Sequence, residues 1–266
     1  MKVAITGATG FLGRYLVSYL LDNLYDVLII TRGEERAKEY LPAGVNVYVT
    51  DYSFESLCEG LKEVETIIHL AAQTMQRDSD PFRVSQFFAV NITMTENLLL
   101  AAKQVGVQKV CQMSSNSVYS SENKIPFNEK DNPIPATIYG VSKVYAEKLG
   151  EYFSYKSEVK VISLRLARLF GYGERSSVVF TKYMNLANDG KLLEVWGEGK
   201  TRIEYLYVKD AVVAIENAVR MDIPNGIYNV GVNRSYSVLE IAKSVNIITG
   251  NTDNLIIDKS KLEGGY

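Results

Sequence analysis

The chain predicts an α/β fold, a doubly wound parallel sheet followed by a smaller C-terminal lobe. Three observations lead there. Short β-rich apolar runs alternate with helical patterns through the first two thirds of the sequence, which is the signature of parallel strands joined by crossover helices. A turn with glycines at intervals of three follows the first run directly, in "MKVAITGATGFLGRYL". After Gly171 the regular alternation fades.

The first strand is predicted over 2–6. Phe11, Leu12, Tyr15, Leu16, Tyr19 and Leu20 then recur with a period near 3.6, as on an amphipathic helix. Further strands are predicted over 26–31, 45–50, 66–70, 109–114 and 160–165. A helix of roughly 24 residues is expected from Pro81 to Gln104, stopping before Gly106, and another after Pro135, over 139–155. Beyond Gly171, "EVWGEGKTRIEYLYV" carries a glycine-rich hairpin signal. The stretch "NGIYNVGVNRSYSVLEIAKSV" reads as a short strand leading through a turn into a helix of the same lobe. No internal repeat or low-complexity segment is present.

With 29 basic and 31 acidic residues and a net charge of -2, the chain collects no basic stretch. Nucleic acid and anionic membrane are therefore not expected as partners, and small-molecule chemistry is. Cys58 and Cys111 make neither a disulfide framework nor a metal site, so a cytoplasmic protein without metal is expected. Glycines and Arg14 interrupt the apolar N-terminus before it could form a secretion signal. No apolar run of about 18 residues suggests a membrane span.

The three glycines have a common reason. In a doubly wound sheet the turn after the first strand brings a dinucleotide pyrophosphate to a helix N-terminus, whose unpaired N–H groups favour phosphate. Gly7 permits the tight turn, Gly10 lets the backbone approach phosphate, and Gly13 lets the helix pack on the strand. Residues 1–170 thus read as an NAD(P)-binding domain, to which 201–225 returns, and 171–266 as the smaller lobe. The second strand ends in Thr31 and Arg32, where NAD-binding chains carry an acid. Arg32 suits the 2′-phosphate of NADP and tilts the reading that way; with Glu34 or Glu35 as the acid, NAD remains the alternative.

A tyrosine followed four residues later by lysine places an ammonium where it stabilises a phenolate. Lowering a tyrosine from about 10 to about 7 takes roughly 4 kcal/mol, to be supplied by the lysine and an oxidised nicotinamide. Among 18 tyrosines three such pairs occur, Tyr139/Lys143, Tyr152/Lys156 and Tyr205/Lys209. Position separates them. Tyr139 opens its helix on the side where the cofactor is expected, whereas Tyr152 lies about 220° further around. Tyr205 and Lys209 fall in a strand-like stretch, about 13 Å apart. The fifth strand ends in "CQMSSNSVYSSE", offering the hydroxyls of Ser114, Ser115 and Ser117 to the same site. His69 reads as a structural polar residue rather than a base, and Trp196 either fills the small lobe or stacks on a nucleobase.

"GATGFLG", "HLAA", "SSNSVY", "YGVSK" and "RIEYLYVKDA", in that order, resemble the extended short-chain dehydrogenase/reductase family of sugar-nucleotide epimerases and dehydratases, the UDP-sugar 4-epimerase branch most of all. The match runs to about residue 245 and implies a Rossmann-like sheet with a substrate lobe. It implies Ser115, Tyr139 and Lys143 as catalytic residues, Tyr139 as the acid/base. It implies cofactor contacts from Gly7, Thr9, Gly10, Phe11, Leu12, Gly13, Asp51, Tyr52, Leu70, Ala71, Ala72 and Ser114 besides Tyr139 and Lys143. Asn91, Asn116, Arg168 and Arg202 are implied at the substrate, Arg202 on its diphosphate. A homodimer through the helices after Pro81 and Pro135 is also implied.

Relatives that dehydrate their sugar carry an Asp-Glu pair after the catalytic hydroxyl, where this chain has Asn116 and Ser117. Dehydration is disfavoured. Arg168 stands where the family usually has Asn, and the sequence stops at Tyr266, before the family's final helix, so the lobe is either abbreviated or incomplete. The resulting expectation is an NAD(P)-dependent nucleotide-sugar 4-epimerase. The alternatives are an NADPH-dependent reductase of a keto nucleotide sugar and a non-catalytic cofactor-binding sensor or scaffold.

Overall fold

The computed structural model describes residues 1–75, 80, 82–175 and 178–263; Pro81 and Tyr266, named above, lie outside these. The chain divides into two compact units, residues 1–166 with 209–230, and 167–208 with 231–266.

In the first unit, strands alternate with helices: β1 (Lys2–Thr6), α1 (Phe11–Asp22), β2 (Asp26–Thr31), α2 (Glu34–Tyr40), β3 (Asn46–Val49), α3 (Phe54–Gly60) and β4 (Thr66–His69). Then come α4 (Ser85–Phe87), a π-helical segment (Phe88–Thr93), α5 (Met94–Val105), β5 (Lys109–Ser115), a 3-10 turn (Asn116–Val118), α6 (Ile138–Lys156) and β6 (Lys160–Leu166). In the second unit follow β7 (Arg168–Phe170), α7 (Val179–Asn188), β8 (Leu193–Trp196), β9 (Arg202–Ile203) and β10 (Tyr205–Tyr207). The chain re-enters the first unit through α8 (Val208–Arg220) and β11 (Gly226–Val230), and ends in β12 (Tyr236–Ser237), α9 (Val238–Thr249) and β13 (Leu255–Asp258) of the second.

Seven strands form one sheet in the order β11-β6-β5-β4-β1-β2-β3, every neighbouring pair parallel. The order reverses at β1, which lies between β2 and β4; at such a switch point a crevice opens beyond the carboxyl ends of the strands. Both faces are covered by helices, so the strands read as near-continuous apolar runs. Val3, Ala4, Ile5, Ile29, Ile30, Ile67 and Ile68 are fully buried.

Four expectations are corrected. The helix expected over 81–104 is α4 and α5 joined by a π-helical segment, with Gly106 in the left-handed conformation closing α5. The expected glycine-rich hairpin does not form: β8 pairs with β13, β9 with β12 and β10 with β7. Its turns are genuine, but each strand finds a partner distant in sequence. The strand in "NGIYNV" belongs to the large sheet as β11, so the returning segment is 209–230, not 201–225. The boundary of the first unit falls at Leu166 instead of residue 170.

The core of the second unit joins Tyr183, Ala187, Leu193, Val195, Tyr205, Ile241, Ala242 and Val245. Trp196 stays outside it, 37% exposed, with Nε1 donating to Glu194 Oε2 at 3.0 Å. Among the described residues no helix is long and apolar enough to cross a membrane, and no cluster of three or more His, Cys, Asp or Glu is placed to hold a metal ion.

Candidate active site

The carboxyl ends of β1, β4 and β5, neighbours in the sheet, carry the residues that the motifs single out. Beyond β1 the chain turns through Gly7 at φ +71°, where a side chain would be strained and a Cβ would stand 2.5 Å from the Ala71 nitrogen. That absence lets the Gly7 turn lie against residues 70–72 beyond β4, where Ala71 N donates to Thr6 Oγ1 at 3.2 Å. Gly10 begins α1 and is exposed, and no side chain caps the first amides of the helix. A Cβ on Gly13 would meet the Ala8 and Gly7 carbonyl oxygens at 2.5 Å. Thr9, Phe11, Leu12, Leu70, Ala71 and Ala72 are half-buried around this turn. An uncapped helix start beside a bare backbone turn fits a dinucleotide pyrophosphate.

At the ends of β2 and β3, Arg32, Val49, Thr50, Asp51 and Ser56 line one open pocket. Arg32 and Asp51 are exposed there, and Asp51 Oδ1 accepts from Ser53 N at 2.8 Å; the Ser53 hydroxyl and this amide together hold its carboxyl below the usual range. Tyr52 points inward instead. Its hydroxyl donates to the Ile30 carbonyl at 2.9 Å, and burial pushes the phenol up to about 12.

Thr137 caps α6, its hydroxyl accepting from Gly140 N at 3.1 Å, and Tyr139 stands in the first turn. A Cβ at Gly140 would collide with the Ser117 carbonyl, so glycine lets the helix start press against the serine turn. Tyr139 is half-buried, its ring centroid 6.5 Å from that of Phe87. Lys143 Nζ lies 5.7 Å from the Tyr139 ring centroid and donates to the Met113 carbonyl at 2.7 Å. Burial pushes this ammonium down to about 8, and the Glu147 carboxylate draws it partly back. Ser115, two residues beyond Met113, is half-buried; its hydroxyl accepts from Ser117 N at 3.1 Å and lies 3.5 Å from Asn116 Oδ1. Tyr152 is 59% exposed, and Lys209 lies in α8 rather than in the strand of Tyr205. Of the three Tyr/Lys pairs, Tyr139/Lys143 alone stands beside the serine turn.

Two residues expected at cofactor and substrate are buried with protein partners. Ser114, expected at the cofactor, is 6% exposed and gives its hydroxyl to Glu147 Oε1 at 2.5 Å. Asn91, expected at the substrate, is 2% exposed and fully engaged: Oδ1 accepts from Gln73 N at 2.7 Å, while Nδ2 donates to Gln73 O and to Ser142 Oγ, both at 2.9 Å. Ser142 Oγ donates in turn to Tyr139 O at 2.7 Å. Asn91 therefore ties the loop after β4 to the helix of Tyr139. The sequence reading missed Gln73, Gly140, Ser142 and Glu147; the glycine and the serine sit inside "YGVSK", which was the available signal.

His69 is held on both sides, Nδ1 at 2.7 Å from Thr6 Oγ1 and Nε2 at 3.0 Å from Thr95 Oγ1. Burial, aided by the charge of Lys143, pushes it down to about 3, so it is neutral and structural. Arg168 and Arg202 belong to the second unit. Arg202 donates to Ser235 Oγ at 3.0 Å and to its carbonyl at 2.6 Å, with Glu240 at 3.3 Å. Arg168 opposes the burial that pushes the Glu174 carboxyl up to about 7.

A Rossmann-like sheet with a bare glycine turn after its first strand and a Ser, Tyr and Lys at its rim fits a nicotinamide-dependent class of enzyme. Residues 3–231 match the NAD dependent epimerase/dehydratase family, and the chain belongs to it. Its fold superposes on the UDP-N-acetylglucosamine 4-epimerase of Bacillus cereus with a TM-score of 0.87 and 30% identity, covering 100% of this chain and 87% of that one. The UDP-glucuronic acid 4-epimerase of the same organism, solved with UDP-glucuronic acid and NAD, gives 0.86 and 25%, over 97% and 86%. The dTDP-D-glucose 4,6-dehydratase of Mus musculus is 26% identical over 255 residues, 92% of this chain and 72% of that protein. The protein is thus an NAD-dependent enzyme. The tilt toward NADP drawn from Arg32 finds no support among these relatives.

Proposed function

We propose that the enzyme is a nucleotide-sugar 4-epimerase, acting on a UDP-hexose through transient oxidation at C4. The observation that carries the reading is Tyr139 and Lys143 on the first turns of α6, with Lys143 bonded to the strand that ends in Ser115. The 4-epimerases among the similar structures support the substrate class. Against dehydration stand Asn116 and Ser117, which offer no acid beside Ser115.

The Gly7 turn and the uncapped start of α1 would hold NAD, which would supply reversible hydride transfer. Tyr139 takes the proton of the C4 hydroxyl and later returns it. Its phenol needs roughly 4 kcal/mol of help to work near neutral pH, and a protonated Lys143 beside the ring contributes part of it. Ser115 donates its hydroxyl to the C4 oxygen and orients it. The half-buried turns around Tyr139 and Ser115 limit competing water.

We also propose a cytoplasmic homodimer. The unbridged Cys58 and Cys111 support the compartment. Exposed Val141, Tyr145 and Tyr152, which share one side of α6, and exposed Phe88 support contact through these helices.

The test is turnover of UDP-glucose, UDP-N-acetylglucosamine and UDP-glucuronic acid by wild type and Tyr139→Phe, with bound nucleotide identified by mass spectrometry. Wild type should epimerise at least one of them and Tyr139→Phe should be slower by about 100-fold or more. Equal rates would refute the assignment. Protein purified free of nucleotide and reducing a keto sugar with NADPH would favour the reductase instead.

A further inference from the structure

Glu147 lies one helical turn beyond Lys143 and is 1% exposed. Besides Ser114 on Oε1, its carboxylate accepts from Arg165 twice, from Nε at 2.8 Å and from Nη2 at 2.7 Å. Arg165, on β6 and 3% exposed, donates through Nη1 to the Tyr119 hydroxyl at 2.5 Å. That hydroxyl reaches the Asn128 carbonyl at 3.1 Å and Asn229 Oδ1 on β11 at 3.0 Å. One carboxylate thus connects α6 to β5, to β6 and, through Arg165 and Tyr119, to β11. Burying such an ion pair seldom gains stability over apolar side chains of similar size. The pair needs another reason.

We propose that the Glu147–Arg165 pair is a positioning device for the reaction, fixing α6 on β5 so that Tyr139 and Lys143 meet the substrate opposite Ser115. This rests on the epimerase reading of Tyr139. The geometry is a run of attachments along one strand. Gln112 Nε2 donates to the Ala146 carbonyl at 3.0 Å, Lys143 bonds to the carbonyl of Met113 and Glu147 to the hydroxyl of Ser114, three successive residues of β5 immediately before Ser115. The Glu147 bond lies nearest Ser115, and with the other two it sets the rotation and height of the helix on the strand. A slip of one residue would turn Tyr139 by about 100°, and a misplacement of about 1 Å costs reactions of this kind about 100-fold. The carboxylate also supports the charge of Lys143, which faces Tyr139 and Glu147 on its own helix, the neutral His69 on β4, and Arg165 on β6 behind Glu147.

The experiment replaces the pair by apolar side chains, Glu147→Leu with Arg165→Met, and measures melting temperature, KM, kcat and the pH profile. A positioning role gives a folded protein with KM within about threefold of wild type, kcat lower by about 100-fold, and an alkaline limb moved to lower pH as Lys143 loses its carboxylate. Wild-type kcat in the folded double variant overturns the proposal, because a merely structural pair is dispensable once its volume is filled. Should that variant fail to fold, Ser114→Ala removes only the bond between Glu147 and β5: kcat lower by about tenfold at unchanged KM supports the role, and wild-type kcat overturns it. A wild type inactive on every sugar nucleotide would strike the epimerase reading and this inference with it, whereas a fully active double variant strikes the positioning role alone.

Discussion

His69 is neutral because it has no room to be charged. Buried between two threonine hydroxyls and close to Lys143, it is pushed down to about 3. Unfolded, it takes up a proton near pH 6.5. Between those values the unfolded chain holds a proton that the fold refuses, so stability is present above pH 6.5 and is lost as pH falls toward 3. At pH 5 the loss from this residue is about 2 kcal/mol. His69→Gln, able to bond both threonines, should shed less stability than wild type between pH 7 and pH 5 by that amount, measured by urea denaturation. Equal losses would contradict a neutral buried imidazole. The same burial acts on Lys143, held to about 8, and so keeps its charge responsive to the phenol beside it.

At the scale of elements, α6 matters most, and Gly140 sets how closely it approaches the serine turn. Gly140→Ala would drive a methyl into the Ser117 carbonyl and against Pro135. A destabilisation of about 1–3 kcal/mol is expected, together with a fall in kcat; a variant as stable and active as wild type would contradict the close seating. The strands through β6 were legible in the sequence because strands covered on both faces must be apolar throughout, and the helix periods between them were plain. The glycine turn and the Tyr139/Lys143 pair were legible for a related reason, since few other residues satisfy those backbone and spacing demands. Side-chain direction was not legible. Motifs locate Ser114 and Asn91 at the right strand end and helix, but which way each points is decided by Glu147, Gln73 and Ser142, brought there by the fold. The second unit was misread for want of long-range pairing: β8, β9 and β10 look locally like a hairpin, yet each pairs with a strand from elsewhere in the chain.

For the whole molecule, the sheet places the Gly7 turn and the Ser115 turn at the carboxyl ends of its strands, and the first unit carries both together with Tyr139 and Lys143. Cofactor binding should therefore stabilise that unit. NAD at a hundredfold its Kd adds about 2.7 kcal/mol, so the melting temperature should rise more with NAD than with NADP at equal concentration; the reverse order would restore Arg32 as a 2′-phosphate ligand. The central claim is that chemistry at C4 proceeds by a hydride leaving and returning without exchange with solvent, with Tyr139 handling only the hydroxyl proton. The most direct measurement is epimerisation of a UDP-hexose deuterated at C4, in ordinary water. Retention of the deuterium at C4 of the epimerised product is the expected result, and its exchange for solvent hydrogen would contradict the account.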